Sequence, residues 1–531
     1  MSDIIVIGAG HNGLVCAYYL ARAGHRVTVL EQRDVVGGAA VTEEFHPGFR
    51  NSVASYTVSL LNPKVISDMD LSRHGLTVVE REISNFLPLD DSTYLKVGGG
   101  KTRQEVAKFS ARDAERLDAY GERLDVVADL LRDLVLETPP NAVSGRGLLA
   151  VLPQLYKAGK LGRRLAKLPV SLQQEVLNLF TQSAGDYLDQ WFESDPIKAA
   201  YGFDGIVGNF ASPYTPGSAY VLLHHVFGEV NGKKGVWGHA IGGMGAITQA
   251  MARACVEAGA SIRTGVGVKR VLAGKLGVTG VETVTGEVLN ASTVVSNLNP
   301  KLLFTRMIEA DHLPEAFSRR MENWKCGSGT FRMNVALSEL PSFTCLPGKT
   351  RAEHHTAGII IAPSLRYMED AYMDARRHGW SKAPIVEILI PSTLDDSLAP
   401  KGAHVASLFC QHVAPSLPDG SSWDDHREKV ADLMIKTVDR FAPGFRKSVI
   451  ARQINSPLDL ERTFGLVGGD IFHGALGLDQ LFAARPMLGY ADYRTPVKGL
   501  YQCGSGTHPG GGVTGAPGHN AARELLKDLR G

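Results

Sequence analysis

Near the amino end, Gly8-Ala9-Gly10-His11-Asn12-Gly13 has the residue types and spacing to hold the pyrophosphate of a dinucleotide. Gly8 permits a tight turn, Gly10 lets the backbone approach a phosphate, and Gly13 lets a helix pack closely on a strand. Glu31 stands 18 positions beyond Gly13, near the spacing at which a carboxylate accepts hydrogen bonds from a ribose. A carboxylate there repels a 2′-phosphate, so the motif points to FAD or NAD and away from NADP. Gly37-Gly38, just beyond, adds backbone that can lie against a second surface.

Two further glycine clusters occur far along the chain. Residues 237–245 (WGHAIGGMG) precede a helical stretch, and residues 501–520 carry a second dense run that includes Gly504, Ser505, Gly511, Gly512 and Val513. An apolar strand and an amphipathic helix frame this last run. Its glycines suit backbone passing close to a large ligand. The start of the terminal helix, near 513–517, would aim its dipole at negative charge developing on such a ligand.

The elements that must position these motifs are legible from periodicity. Residues 4–7 (IIVI) read as a buried parallel strand, 12–23 as a helix ended by Gly24, and 26–30 as a second strand. Residues 103–136 and 147–192 have helical spacing, 205–217 is a loop, and 245–258 is helical. The runs 261–263, 266–272, 278–284 and 288–295 suggest a small meander. From 331 to 337 apolar and polar residues alternate, the pattern of a half-buried antiparallel strand. Further strands are expected at 359–362, 385–390 and 404–409, with helices at 366–377 and 424–441.

Composition narrows the function class. The chain has 531 residues, 44% hydrophobic and 21% charged, with net charge +1, enough for two or three cores and no global pull toward nucleic acid. Six scattered cysteines form no Cys-x-x-Cys pair, so neither a zinc cluster nor a redox disulfide motif is present. No spanning helix or leader peptide is expected, and a cytoplasmic protein is the default. His224-His225 point apart on a helix, so no metal site is expected, and no nucleophile elbow supports hydrolase chemistry.

With these residues quoted, the chain resembles the phytoene-desaturase-like branch of the FAD-dependent amine oxidase superfamily. Within that branch it resembles the pyridine nucleotide-disulphide oxidoreductase domain-containing proteins. Gly8 to Gly13 with Asn12, Glu31-Gln32 and Gly37-Gly38-Ala39 match the amino-terminal signature. Residues 469–475 and 484–486 match the stretch leading to the flavin, and 500–513 the carboxy-terminal signature.

The resemblance implies FAD as cofactor, with Val268 holding the adenine by its backbone. It implies an α/β fold: a Rossmann-type FAD-binding domain, an interleaved α+β substrate domain and a helical cap. The expected segments are 1–100, 231–300 and 466–531 for the FAD-binding domain, 101–230 for the cap and 301–465 for the substrate domain. It further implies hydride transfer from an apolar or amine-bearing small molecule, forming C=C or C=N. The alternatives are a non-redox flavin isomerase, or a flavoprotein that docks to a membrane or respiratory partner. His473 and His508 are the candidate proton-handling residues, and Asp470 is placed either to orient His473 or to cap a helix. Between 138 and 174 only basic charges occur until Glu175, interleaved with leucines. Residues 146–167 are therefore expected to contact a membrane surface or a partner peripherally.

Overall fold

Ile4, Val6, Val27 and Val29 are apolar residues with β-branched side chains or nearly so, and they pair in register as the centre of a five-stranded parallel sheet. The computed structural model describes residues 3–90, 92–141 and 148–530. The sheet runs Ser261–Arg263, Arg26–Leu30, Asp3–Ile7, Thr293–Ser296, Leu500–Gln502, all parallel. Numbered along the chain this is the order 3-2-1-4-5, the Rossmann arrangement. Its switch point lies between Asp3–Ile7 and Thr293–Ser296. Helix His11–Arg22 packs on this sheet beside Met244–Glu257 and Ala516–Arg530.

A second, seven-stranded sheet has the order Val449–Asn455, Phe331–Leu337, His404–Val413, Trp380–Leu389, Gly358–Ile361, Asn85–Pro88, Tyr94–Val97. Its pairs are antiparallel except Gly358–Ile361 with Asn85–Pro88. Helix Trp423–Phe441 covers one face through Val430, Met434 and Val438. The cap helices, including Ala111–Val135, Asp195–Asp204 and Ser218–Val226, cover the other through Ile197, Phe203 and Leu222.

Three expectations are corrected here. Residues 85–97 add two strands to the second sheet, so the first dinucleotide-binding segment ends before 85 and not at 100. The run 288–295 divides: Val288–Asn290 closes a three-stranded meander, while Thr293–Ser296 lies in the parallel sheet. Ser261–Arg263 likewise leaves the meander for the parallel edge. Strand Phe331–Leu337 is buried on both faces, including Arg332 and Asn334. Its alternation separates an apolar layer under Trp423–Phe441 from a polar layer facing inward, not core from solvent. Among the described residues no helix is long and apolar enough to cross a membrane.

Candidate functional site

At the switch point the chain turns from strand to helix through Gly8, whose φ of +92° only glycine adopts without strain. A Cβ on Gly13 would lie 2.1 Å from the Gly8 carbonyl oxygen, so helix and turn touch backbone to backbone. Helix His11–Arg22 has no side-chain cap at Gly10, which leaves its first N–H groups available to an anion. Glu31 is buried at the end of Arg26–Leu30. Its carboxylate accepts from the backbone N–H of Ala9 at 2.8 Å and of Arg33 at 3.0 Å, which fixes it beside the turn.

These parts open onto a cavity of about 350 Å³. Gly8, Gly10, Glu31 and Gln32 line one side, and Gly37, Gly38, Ala39 and Val268 continue the wall. Ser505 and His473 reach in from the carboxy-terminal half. Asn12 is buried behind the turn, its Nδ2 donating to Ser505 Oγ at 3.2 Å. Gly13 and Gly504 serve packing: Gly504 lies against the backbone of Asn297. His11 and Asn297 also line the cavity, and the sequence reading passed over both. His11 Nε2, Asn12 Oδ1 and His473 Nδ1 are buried with no hydrogen-bond partner among the described residues.

The two candidate proton carriers are not brought together. His473 sits in the left-handed region at φ +59°; burial, then His11 and Arg485, push its pKa down to about 3. It is a neutral ring at physiological pH. His508 lines a separate apolar cavity under Leu131, Leu161 and Phe180. Its Nε2 faces the Leu134 carbonyl at 3.0 Å, and burial pushes its pKa down to about 4. Burial thus favours the neutral form of both rings. Asp470 does not engage the His473 ring; it accepts from the backbone N–H groups of Gly327 and Phe472, both at 2.8 Å. It pins a loop.

Gly512 and Val513 belong to a second cavity of about 110 Å³, and Gly511 packs against Phe472 at its edge. Leu60, Phe203, Ile247, Phe409 and Phe472 are among its walls. One end is polar: Tyr56, Arg81, Asp204, His225 and Glu387. Tyr56 donates its phenol proton to Glu387, and the Arg332 guanidinium lies 4.4 Å from the Tyr56 ring centroid. Burial raises the Glu387 pKa, against the pull of Tyr56, Arg81 and Arg332. Burial and then Glu387 push Asp204 up to about 8, while burial pushes His225 down to about 4.

Asp204 yields a pH prediction. Its pKa is about 3.9 in an unfolded chain, so between pH 4 and 8 the folded state holds a proton that the unfolded state has lost. Stability therefore falls as pH rises through that window, by up to about 1.4 kcal/mol per unit from this one group. Asp204→Asn should flatten the dependence. Melting followed from pH 5 to 8.5 should show the variant losing less than the parent; parallel curves would remove Asp204 as the cause.

Known proteins place this geometry. The family described as flavin containing amine oxidoreductase matches residues 13–330. The chain is 41% identical to pyridine nucleotide-disulfide oxidoreductase domain-containing protein 2 of Rattus norvegicus, over 99% of this chain and 94% of that one. It is 25% identical to the phytoene desaturase (lycopene-forming) of Pseudescherichia vulneris, over the full length of both. The solved structure of cyclohexylamine oxidase from Brevibacterium oxydans IH-35A superposes with a TM-score of 0.58 at 15% identity, covering both chains fully. The parallel sheet, its glycine turn and these matches agree: the chain is an oxidoreductase that belongs to the flavin containing amine oxidoreductase family.

Proposed function

We propose that the chain binds FAD across the first cavity toward the second, and takes a hydride from a small organic molecule held in the second, which also releases a proton to solvent as C=C or C=N forms. The observation that carries this reading is the carboxy-terminal glycine run. Ser505 lines the first cavity and Gly512 and Val513 line the second, so one loop borders both. The donor set suits FAD: Glu31 for ribose hydroxyls, the uncapped helix start for the pyrophosphate, and buried unpartnered atoms on His11, Asn12 and His473. FAD, when bound, supplies the hydride acceptor. The protein's part is to orient the substrate between Phe472, Phe409 and Ile247, exclude water, and hold protons on Asp204 and Tyr56.

Anaerobic spectroscopy of the purified protein against amines, polyenes and apolar acids tests the reading. Bleaching of a flavin band by one compound supports it. Fast recovery in air then defines an oxidase, and slow recovery a dehydrogenase with another acceptor. A flavin band that no compound bleaches favours the non-redox isomerase or the docking flavoprotein, and a protein that takes up no FAD overturns the proposal.

A peripheral membrane contact has an observation of its own. Leu152, Leu155 and Tyr156 are 53%, 51% and 70% exposed on helix Leu148–Ala166, beside exposed Lys157, Lys160, Arg163 and Lys167. Arg146, also expected in this patch, lies outside the described residues. Arg164 is paired with Asp133 and contributes less. Apolar tips ringed by cations match an anionic bilayer surface, where each cation contributes roughly 1 kcal/mol. Reversing Lys157, Lys160 and Arg163 to glutamate should lower vesicle binding by at least about a hundredfold. Equal flotation of parent and variant on phosphatidylserine vesicles would exclude the contact.

A further inference from the structure

The second cavity holds a cation that its own carboxylates do not occupy. Arg81 lines the wall, and among the described residues the one hydrogen-bond acceptor for its side chain is the neutral hydroxyl of Thr57. The nearby carboxylate, Glu387, takes its hydrogen bond from Tyr56, and no ion pair joins it to Arg81 among the described residues. Asp204, the other acid on the wall, keeps its proton until about pH 8. Arg332 is fully buried behind this end, donating to Ser407 Oγ at 2.6 Å and lying over the rings of Tyr56 and Phe409. Two guanidinium groups thus converge on a site whose carboxylate, Glu387, already takes a hydrogen bond from Tyr56, inside walls of Leu60, Phe203 and Phe472 that strengthen every charge interaction.

Such an end is poorly matched to two kinds of substrate. An ammonium group would meet uncompensated positive charge. A hydrocarbon would leave Arg81 with the Thr57 hydroxyl as its hydrogen-bond partner among the described residues, which is costly for a charged group taken from water. A carboxylate satisfies it, because a guanidinium offers two parallel N–H donors in the geometry that a carboxylate accepts. We propose that the substrate is an apolar organic acid, its carboxylate received by Arg81 and its hydrocarbon body lying along Phe409, Ile247 and Phe472 toward Gly512. This deepens the proposed function and rests on it for the direction in which the hydrocarbon body points.

Calorimetric titration of the flavin-loaded protein with benzoate and with benzylamine provides the test, since the two differ mainly in charge at one end. Benzoate should bind at least about tenfold more tightly than benzylamine, as expected for one charge-assisted bidentate contact. Arg81→Gln should weaken benzoate about thirtyfold or more and not weaken benzylamine, with Arg81→Lys recovering part of the loss of benzoate binding. Equal or tighter binding of benzylamine to the parent protein overturns the proposal without any variant, so misfolding of a variant cannot shield it. Unchanged benzoate affinity in a folded Arg81→Gln protein also overturns it. The visible flavin band of the same sample separates the two readings: a yellow protein that ignores benzoate refutes the acid site alone, and a colourless one refutes FAD binding.

Discussion

Arg485→Met is expected to destabilise the protein by about 3 kcal/mol or more, the sum for several buried carbonyl oxygens that lose a charged donor, and to yield mostly insoluble chain. Arg485 is fully buried. Its Nη2 donates to the carbonyl oxygens of Phe472 and Ser505, both at 2.7 Å, and its Nη1 donates to that of Gln480 at 3.0 Å. Its Nε also reaches Ser505, at 3.1 Å. One fork therefore fastens the loop through 472–480 to the carboxy-terminal glycine run, so both walls near the two cavities depend on it. Burial lowers its pKa to about 10, with Asp470 opposing, so it stays charged at neutral pH. Methionine fills the space but leaves three carbonyl oxygens dry and unpaired, each costing about 1–3 kcal/mol. Lysine keeps the charge but cannot span the fork, so Arg485→Lys should recover less than half the loss. Urea unfolding of all three proteins decides it; a methionine variant within 1 kcal/mol of the parent would show that water replaces the guanidinium.

The second large effect is on cofactor uptake. Gly13→Val should give a colourless protein. Valine's Cβ would start 2.1 Å from the Gly8 carbonyl oxygen and 3.2 Å from Asn297 Nδ2, so the helix must lift off the turn that presents its N–H groups. Overpacking of this kind costs about 1–3 kcal/mol in folding, and the displaced turn loses its fit to a pyrophosphate. The control is Gly24→Ala, at the other end of the same helix. There φ is +89° but nothing lies within 4 Å of an added Cβ, so only the backbone strain of about 1 kcal/mol applies. Absorbance after reconstitution and melting temperature, read together, separate the cases: the alanine variant should stay yellow and melt a little earlier. A yellow Gly13→Val protein would mean that the turn tolerates the shift.

What could be read from sequence was what is local. The strand, turn, helix and acid around Gly8 and Glu31 lie within one βαβ unit, and their spacing follows from helix and strand dimensions. The second cavity had no such signature. Tyr56, Arg81, Asp204, His225 and Glu387 come from five separate segments and meet only because the second sheet folds under the cap. A signal was present in Ile385-Val386-Glu387-Ile388, where a charge interrupts an apolar strand, and in Arg332 and Asn334, which alternate with core residues. Period-two alternation commonly separates core from solvent, yet with both faces covered it marks a buried polar layer. Arg485 was quoted within the stretch resembling its family, but its partners are backbone carbonyls, which leave no residue pattern to read. The histidines were judged by side-chain chemistry alone; burial, which sets their pKa values, depends on elements as distant as Leu134 is from His508.

The parallel sheet also sets a timetable for synthesis. Strand Asp3–Ile7 is made well before its neighbour on one side, Thr293–Ser296, and before the strand beyond that, Leu500–Gln502. At translation rates of about 5–20 residues per second, the nascent apolar surface of Ile4, Val6 and Leu14 waits roughly 25 to 100 seconds for its last cover. No partial chain can form the glycine run that borders both cavities, so a stalled or truncated product carries an exposed sticky edge and no cofactor. Flavin binding, which needs that run, can therefore stabilise the fold only after residues 504–513 have been made.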